Sequence, residues 1–334
     1  MTEIIRLDSV SKVFGAVRAV DEISLRVQKA QTCVLIGPSG CGKTTTLKMI
    51  NRLIEPTCGK IFVRDQDAQS LDLVELRRSI GYVIQQIGLF PHMTVEQNMT
   101  VVLRLRGWDR SKQQKRAREL CELVGLPPDE FLHRYPRQLS GGQQQRVGVA
   151  RALAADPDII LMDEPFGAVD PITRKQLQRE LKRIQSEVRK TIVFVTHDLS
   201  EAFFLGDQLV VMQHGRVLQD GTPRDLLLSP ANEFVANFVG ESRQIRSLRF
   251  QKVEEIMVSG SIEPVGKDEP WVFADESLLE AISRLNSLSS EVSAASRKSS
   301  VQVVDRSGRE VGELTYQRLI QVIGEALPSA SEVT

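Results

Sequence analysis

The sequence predicts an α/β fold: a parallel sheet covered by helices on both faces, preceded by antiparallel strands and followed by a smaller, separate domain. Three observations carry this. First, the short apolar runs TCVLIG (32–37), DIILMDE (158–164) and TIVFVTH (191–197) alternate with segments of helical spacing, as strands buried on both faces do. Second, a glycine loop, GPSGCGKT (37–44), lies between the first of these runs and a helical segment. Third, the composition changes near residue 241, where a polar, basic stretch, ESRQIRSLRF, leads into serine-rich chain.

The 334 residues suffice for two or three domains and a sizeable core. Lys+Arg and Asp+Glu balance at 43 each, so no global field favours nucleic acid or an acidic lipid surface. No apolar run reaches the ~18 residues that span a bilayer, and the start MTEIIRLDSV is not a signal peptide. The chain is therefore expected in the cytoplasm, with any membrane association supplied by partners. Cys33, Cys41, Cys58 and Cys121 show no CxxC spacing and read as reduced thiols rather than a metal site.

The elements follow in order. Residues 1–30 alternate polar and apolar (IIRLDSVSKVF, then AVDEISLRVQ), the pattern of half-buried antiparallel strands. After the TCVLIG strand, KTTTLKMINRL has helical spacing with Leu47, Ile50 and Leu53 on one face. Residues 94–125 read as helices; the basic stretch SKQQKRARELCELVGL within them reads as a solvated helix face rather than a nucleic-acid contact. A helix follows LSGGQ to about Ala155, then the DIILMDE strand, a helix through 172–189 and the TIVFVTH strand. LVVMQHGRVLQDGTP is a hairpin with His214-Gly215 at its turn. Beyond residue 250, VQVVDRSGREVGELT reads as strand–turn–strand, flanked by helices at 276–288 and 315–326.

GPSGCGKT fits G-x-x-x-x-G-K-[ST] in full and stands where that motif must, after a strand and opening a helix. Its residues, Gly37, Pro38, Ser39, Gly40, Cys41, Gly42, Lys43 and Thr44, with the next residue Thr45, would wrap phosphate oxygens in backbone N–H groups at a helix N-terminus. Lys43 would reach the outer phosphates, and the Thr44 hydroxyl would ligate Mg²⁺. DIILMDE delivers Asp163 and Glu164 to the C-terminal end of a buried strand, where α/β sheets bind ligands. Asp163 would hold the Mg²⁺ ion, and Glu164 would act as general base on the attacking water. His197 closes another such strand as a donor to the γ-phosphate, and Gln85, after SIGYVI, is placed to orient water or Mg²⁺. Together these define a P-loop nucleotide hydrolase using ATP and Mg²⁺.

LSGGQ adds a second anion-binding feature. Ser140 and Gln143 have the S-x-x-Q capping spacing that marks a helix start, and Gly141 and Gly142 leave its amides uncovered. A glycine-permitted helix cap is the competing reading.

With the phosphate loop, LSGGQ, LMDE and THD in this order, residues 3–240 resemble the ATP-binding subunit of ABC transporters. The resemblance implies a parallel-sheet core with an antiparallel β subdomain and a helical subdomain. It also implies two copies packed head to tail, each ATP lying between one copy's phosphate loop and the other's LSGGQ. By motif, Phe14 in KVFGAVRAV takes the place of the aromatic that stacks on adenine, Gln85 is the Q-loop residue, and Asp170 in GAVDP is the D-loop aspartate. KMINRLIEPT (48–57), YVIQQIGLFPHMTVEQN (82–98), PITRKQLQRELKRIQ and SPANEFVANFVG are similar to the ATPases of importers for glycine betaine, carnitine, choline and related quaternary ammonium solutes. The implied partners are membrane permease subunits, with QIGLFPHM as their contact, and indirectly a solute-binding protein; the implied place is the cytoplasmic face of the membrane. A non-transport ABC ATPase would bring coiled-coil insertions or tandem cassettes, and an exporter a membrane domain, none of which occurs in the sequence. The tail resembles a cystathionine β-synthase (CBS) type region through VEEIM, ADESLLEAISRL and VQVVDRSGREVGELTYQRLIQVI, which follow one such repeat. The expected division is a nucleotide-binding domain at 1–240, a linker at 241–250, a CBS-like regulatory or dimerisation domain at 251–327 and a frayed tail at 328–334.

Overall fold

The computed structural model describes residues 2–85, 88–167, 169–228, 230–239, 248–259, 271–281, 284, 300–315 and 318. The chain falls into two compact units, Met1–Pro223 and Arg224–Thr334. The first unit stops earlier than the expected boundary at 240.

In the first unit, β1 (Glu3–Phe14) and β2 (Val17–Gln28) pair antiparallel, and β1 also pairs with β4 (Cys58–Val63), which pairs with the short β5 (Gln66–Asp67). Their alternating pattern puts Ile5, Leu7, Val20, Ile23, Leu25 and Val27 into a core shared with β3 (Thr32–Ile36) and α1 (Lys43–Ile50). Between β4 and the next sheet strand lies α2 (Leu73–Ser79), leading into β6 (Ile80–Val83).

The second sheet has the order β10-β9-β3-β8-β7-β6, with β7 at Ile159–Asp163, β8 at Thr191–Val195, β9 at Gln208–Gln213 and β10 at Arg216–Gly221. All of it is parallel except the β9–β10 hairpin. Every residue of β3, β7 and β8 is buried, which is why these strands read as unbroken apolar runs rather than alternations. The hairpin turns at His214-Gly215, as expected, with both residues at positive φ.

The helical segment comprises α3 (Val95–Leu105), α4 (Arg110–Leu123), the short α5 (Pro128–Phe131) and α6 (Gly141–Leu153). After β7 comes α7 (Pro171–Val188), and after β8 comes α8 (Leu199–Leu205). One expected helix face needs correcting. Leu47 and Ile50 are fully buried, but α1 stops at Ile50, Arg52 takes a left-handed conformation (φ 54°), and Leu53 ends up 46% exposed. The chain turns there because Leu53 N and Ile54 N both return to the carbonyl of Lys48.

The second unit begins within α9 (Pro223–Leu228); α10 (Glu233–Val239) then precedes a small sheet, β11 (Val258–Ser259), β12 (Trp271–Phe273), β13 (Ser300–Val304) and β14 (Glu310–Thr315), in the order β11-β14-β13-β12. The expected strand–turn–strand is β13–β14. Leu248, placed in the expected linker, is buried in the core of this sheet with Val253, Val272, Leu278, Val301 and Leu314. Of the helix expected at 276–288, the described residues 278–281 and 284 are helical; most of 315–326, the serine-rich stretch 287–299 and the tail 328–334 lie outside the described residues.

Candidate active site at one edge of the parallel sheet

The strand order explains how the site assembles. β3, β8, β7 and β6 are successive neighbours running the same way, so their C-terminal ends lie side by side. β3 delivers the phosphate loop, β8 delivers His197, β7 delivers Asp163 and Glu164, and β6 delivers Gln85. Residues as far apart in sequence as Gly37 and His197 thus share one edge, brought there by four different strands.

Within the phosphate loop, Gly42 takes a left-handed conformation (φ 105°), and a Cβ there would stand 2.5 Å from the carbonyl oxygen of Ala19. Glycine is demanded by both the dihedral and the space. The loop is braced from behind by the hairpin turn. Gly215 N–H donates to the Cys41 carbonyl (3.1 Å), and Asp21 N–H donates to the Gly215 carbonyl (2.8 Å). Arg18 and Arg216 donate to the two oxygens of Asp21, at 2.6 and 2.7 Å. Arg18 first, then Arg216, hold the Asp21 carboxyl below the usual carboxylate range. No spacing in the sequence signals this brace, whose members lie 195 residues apart.

The expected Lys43 sits at the start of α1, buried, but its ammonium points back into the loop, donating to the carbonyls of Gly37 (2.8 Å) and Pro38 (2.9 Å). Reaching an outer phosphate requires exchanging those two bonds for phosphate oxygens. The Thr44 hydroxyl donates to Asp163 Oδ1 at 2.8 Å, so the two expected Mg²⁺ ligands are in contact. Burial pushes the Asp163 carboxyl above its ordinary value, and the Thr44 bond pulls it back. A hydroxyl and a buried carboxylate, both hard oxygen donors, fit Mg²⁺.

Glu164 has φ 43°, in the left-handed region that non-glycine residues seldom occupy, and its N–H donates to the Val195 carbonyl of β8 (3.0 Å). Its carboxylate gathers the other two expected residues: Gln85 Nε2 donates to Oε2 at 3.2 Å, and His197 Nδ1 lies 3.3 Å from the same oxygen. The turn carrying His197 is fixed from below. Thr196 Oγ1 donates to Glu201 Oε2 (2.6 Å), and Gln178 of α7 donates to Glu201 Oε1 (3.2 Å).

Phe14 ends β1 with its ring 46% exposed, free for stacking on its open side, and Lys12 Nζ stands 4.9 Å from the ring centroid. Ser140 caps α6 as expected: its hydroxyl accepts from Gln143 N–H, and Gln143 Oε1 accepts from Ser140 N–H. The two glycines differ. A Cβ on Gly141 would meet nothing within 4 Å, whereas one on Gly142 would stand 2.7 Å from Thr173 Cγ2 in the first turn of α7. Asp170 is the N-cap of α7, accepting from Ile172 and Thr173 N–H at 3.2 and 3.1 Å; the Thr173 side chain first, then these backbone bonds, hold its carboxyl below the usual carboxylate range. Among the described residues, no hydrogen bond joins 140–143 to 37–45.

The phosphate loop, the Thr44–Asp163 pair and Glu164 at one sheet edge define the class: a P-loop nucleotide hydrolase. A family model described as "ABC transporter" matches residues 20–167. The chain is 51% identical over 319 residues to the glycine betaine/carnitine/choline transport ATP-binding protein OpuCA of Bacillus subtilis, covering 95% of this chain and 80% of that one. It is 46% identical over 318 residues to the glycine betaine uptake system ATP-binding protein YehX of Escherichia coli, covering 95% and 99%. A dimeric ATP-binding cassette solved in a post-hydrolysis state with ADP and Pi aligns at a TM-score of 0.59 and 35% identity, over 66% of this chain and 98% of that one. The chain belongs to the ABC transporter family, as an ATP-binding subunit with ATPase activity.

Proposed function

We propose that this chain energises the uptake of quaternary ammonium compatible solutes, of the glycine betaine, carnitine and choline type, through a separate membrane permease that it joins from the cytoplasmic side. The observation that carries the catalytic part is the convergence of Gln85 and His197 on the Glu164 carboxylate beside the Thr44–Asp163 pair. The solute class rests on similarity to the importer ATPases of Bacillus subtilis and Escherichia coli.

Glu164 takes the proton of the attacking water, its carboxylate oriented by Gln85 and His197. Thr44 and Asp163 would hold Mg²⁺, whose charge offsets that of the phosphates. Phe14 stacks on adenine, and the loop from Gly37 to Thr45 cradles the phosphates with Lys43. Two chains pack head to tail, so that Ser140, Gly141, Gly142 and Gln143 of one, with Asp170 crossing between them, complete the site of the other. Support comes from the open face of Gly141 and from the dimeric state of the similar cassette. ATP-driven closure then moves the permease, and hydrolysis reopens the pair. A solute-binding protein delivers the solute on the other side. The β11–β14 unit, with the chain from about 251 to 327, is a CBS-like regulatory or dimerisation domain, its support being the single repeat pattern and its own small core.

The test is Glu164→Gln. It should form an ATP-dependent dimer on gel filtration while turnover falls by ~10²-fold or more; near-normal hydrolysis would remove Glu164 as the base. Uptake of radiolabelled betaine, carnitine and choline by cells carrying the chain with its permease tests the solute class, and no uptake of any of the three would sink it.

A further inference from the structure

The LSGGQ helix runs on through Gln144, Gln145 and Arg146, and three of the four residues Gln143–Arg146 have bonded side chains. Gln143 bonds to Ser140, and Gln144 Nε2 donates to the carbonyls of Pro136 and Leu139. Arg146 reaches the carbonyls of Val124 and Gly125 and stands 2.9 Å from Glu180. Gln145 is the exception. It is 1% exposed, and neither its Nε2 nor its Oε1 has a hydrogen-bond partner among the described residues. Nine-tenths of buried polar groups are bonded, and an amide left unbonded is destabilising.

This amide lines a small cavity of about 20 Å³ whose other walls include Val149, Phe166, Leu177, Leu181 and Ile184. Apart from Val124 at the end of α4, the walls come from three parts of the site. Gln145 and Val149 belong to the helix capped by Ser140. Phe166 lies two residues beyond Glu164 and packs on Phe194 of β8, ring centroids 5.8 Å apart. Leu177, Leu181 and Ile184 belong to α7, which Asp170 caps.

We propose that Gln145 is a positioning residue that links the two ATP sites of the dimer, its amide finding partners only when α6 shifts on α7 and Phe166 in the nucleotide-closed state. This rests on the head-to-tail reading above. In that dimer a chain's residues 140–143 face the partner's nucleotide, while its Glu164 serves its own. A joint between α6 and the 164–184 segment therefore transmits one site's occupancy to the other. An amide that is unbonded in one arrangement and bonded in another favours the second, and so makes closure at both sites concerted.

The test uses the full-length chain with Gln145→Met, and Gln145→Leu as a second apolar replacement. Steady-state ATPase is measured against ATP concentration, with thermal unfolding in the absence of nucleotide. The wild type should show a Hill coefficient above one; both variants should bring it to about one, with the apparent affinity for ATP weakened by the ~5–150-fold typical of lost coupling. Their Tm without nucleotide should rise, because an unbonded buried amide has been removed. A merely structural glutamine would lower Tm and leave the Hill coefficient alone. A wild-type Hill coefficient of one, variants with unchanged cooperativity, or variants that unfold each overturn the proposal. The Glu164→Gln dimer separates the two readings: without an ATP-dependent dimer the head-to-tail arrangement itself falls, whereas a dimer with unaltered cooperativity in the Gln145 variants removes only this inference.

Discussion

Replacing Gly141 and Gly142 one at a time by alanine should have opposite effects on stability and the same effect on turnover. Gly141 is the first residue of α6, and a Cβ there meets nothing within 4 Å. Alanine relieves the entropic cost of glycine in a helix, worth up to ~0.5–1 kcal/mol. For a unit of this size, ~1 kcal/mol moves Tm by ~2–4 °C, so Gly141→Ala should raise Tm slightly. Gly142→Ala puts a methyl 2.7 Å from Thr173 Cγ2. Thr173 has a stiff χ1 and its N–H is held by Asp170, so the contact cannot relax freely. Overpacking of this kind costs ~1–3 kcal/mol, which outweighs the helix gain and should lower Tm by several degrees.

On the proposed head-to-tail arrangement both variants cover backbone N–H groups that face the partner's nucleotide, so ATPase should fall by ~10²-fold or more, as when one anion-stabilising donor is lost. Nucleotide binding by the isolated chain, followed with a fluorescent ATP analogue, should be unchanged. Adding Thr173→Ser to Gly142→Ala removes the offending methyl and keeps the hydroxyl. Stability should return to within ~0.5 kcal/mol of wild type while turnover stays low. Near-normal turnover in Gly141→Ala would refute the assignment of that face to nucleotide. A Tm loss in Gly141→Ala would show that the position is packed within the chain after all.

Two further outcomes follow from the braces and the division of the chain. Asp21 has a folded pKa below its unfolded value of ~3.9. Its contribution to stability is therefore present above ~3.9 and lost as pH falls through the folded value. The Tm gap between wild type and Asp21→Asn should be constant from pH 5 to 8 and close below about pH 4; a gap that grows on acidification would reverse the sign of the shift. Deleting residues 248–334, which removes Leu248 together with the small core it belongs to, should preserve basal ATPase. Collapse of activity would make that region part of the catalytic fold.

Much of the sheet was legible because burial on both faces leaves a one-dimensional trace. TCVLI, IILMD and TIVFV are buried at every position, and IILMD ends on Asp163, which the sheet edge puts to use. The capping box at Ser140 was legible because a cap depends on residues three apart. The direction of Lys43 was not: its bonds to Gly37 and Pro38 are set by the loop's own carbonyls, which any phosphate loop carries. Leu53 was misplaced because periodicity does not stop where a helix does, and the Lys48 carbonyl that closes α1 has no side-chain signature. The Asp21–Gly215 brace and the unbonded Gln145 depend on tertiary neighbours, so no local pattern announces them.

The helix α7 explains why so many site elements answer to one another. Its cap is Asp170, and its first turn packs Thr173 where Gly142 leaves room. Its middle supplies Gln178 to Glu201, which in turn holds Thr196 beside His197. Further along, Glu180 pairs with Arg146 of α6, and Arg183 donates to the Leu123 carbonyl at the end of α4 (2.7 Å). Burial raises the Glu180 carboxyl, and Arg146 then Arg183 oppose that rise, so the carboxylate depends on both links. One helix, capped by Asp170, thus touches the LSGGQ helix, the histidine turn and the helical segment. A helix is stiff along its axis, so a displacement imposed at one of these contacts cannot be absorbed locally and must be shared among the others. The site is assembled from strand ends, but its parts are kept in step by a helix that contributes no catalytic group of its own.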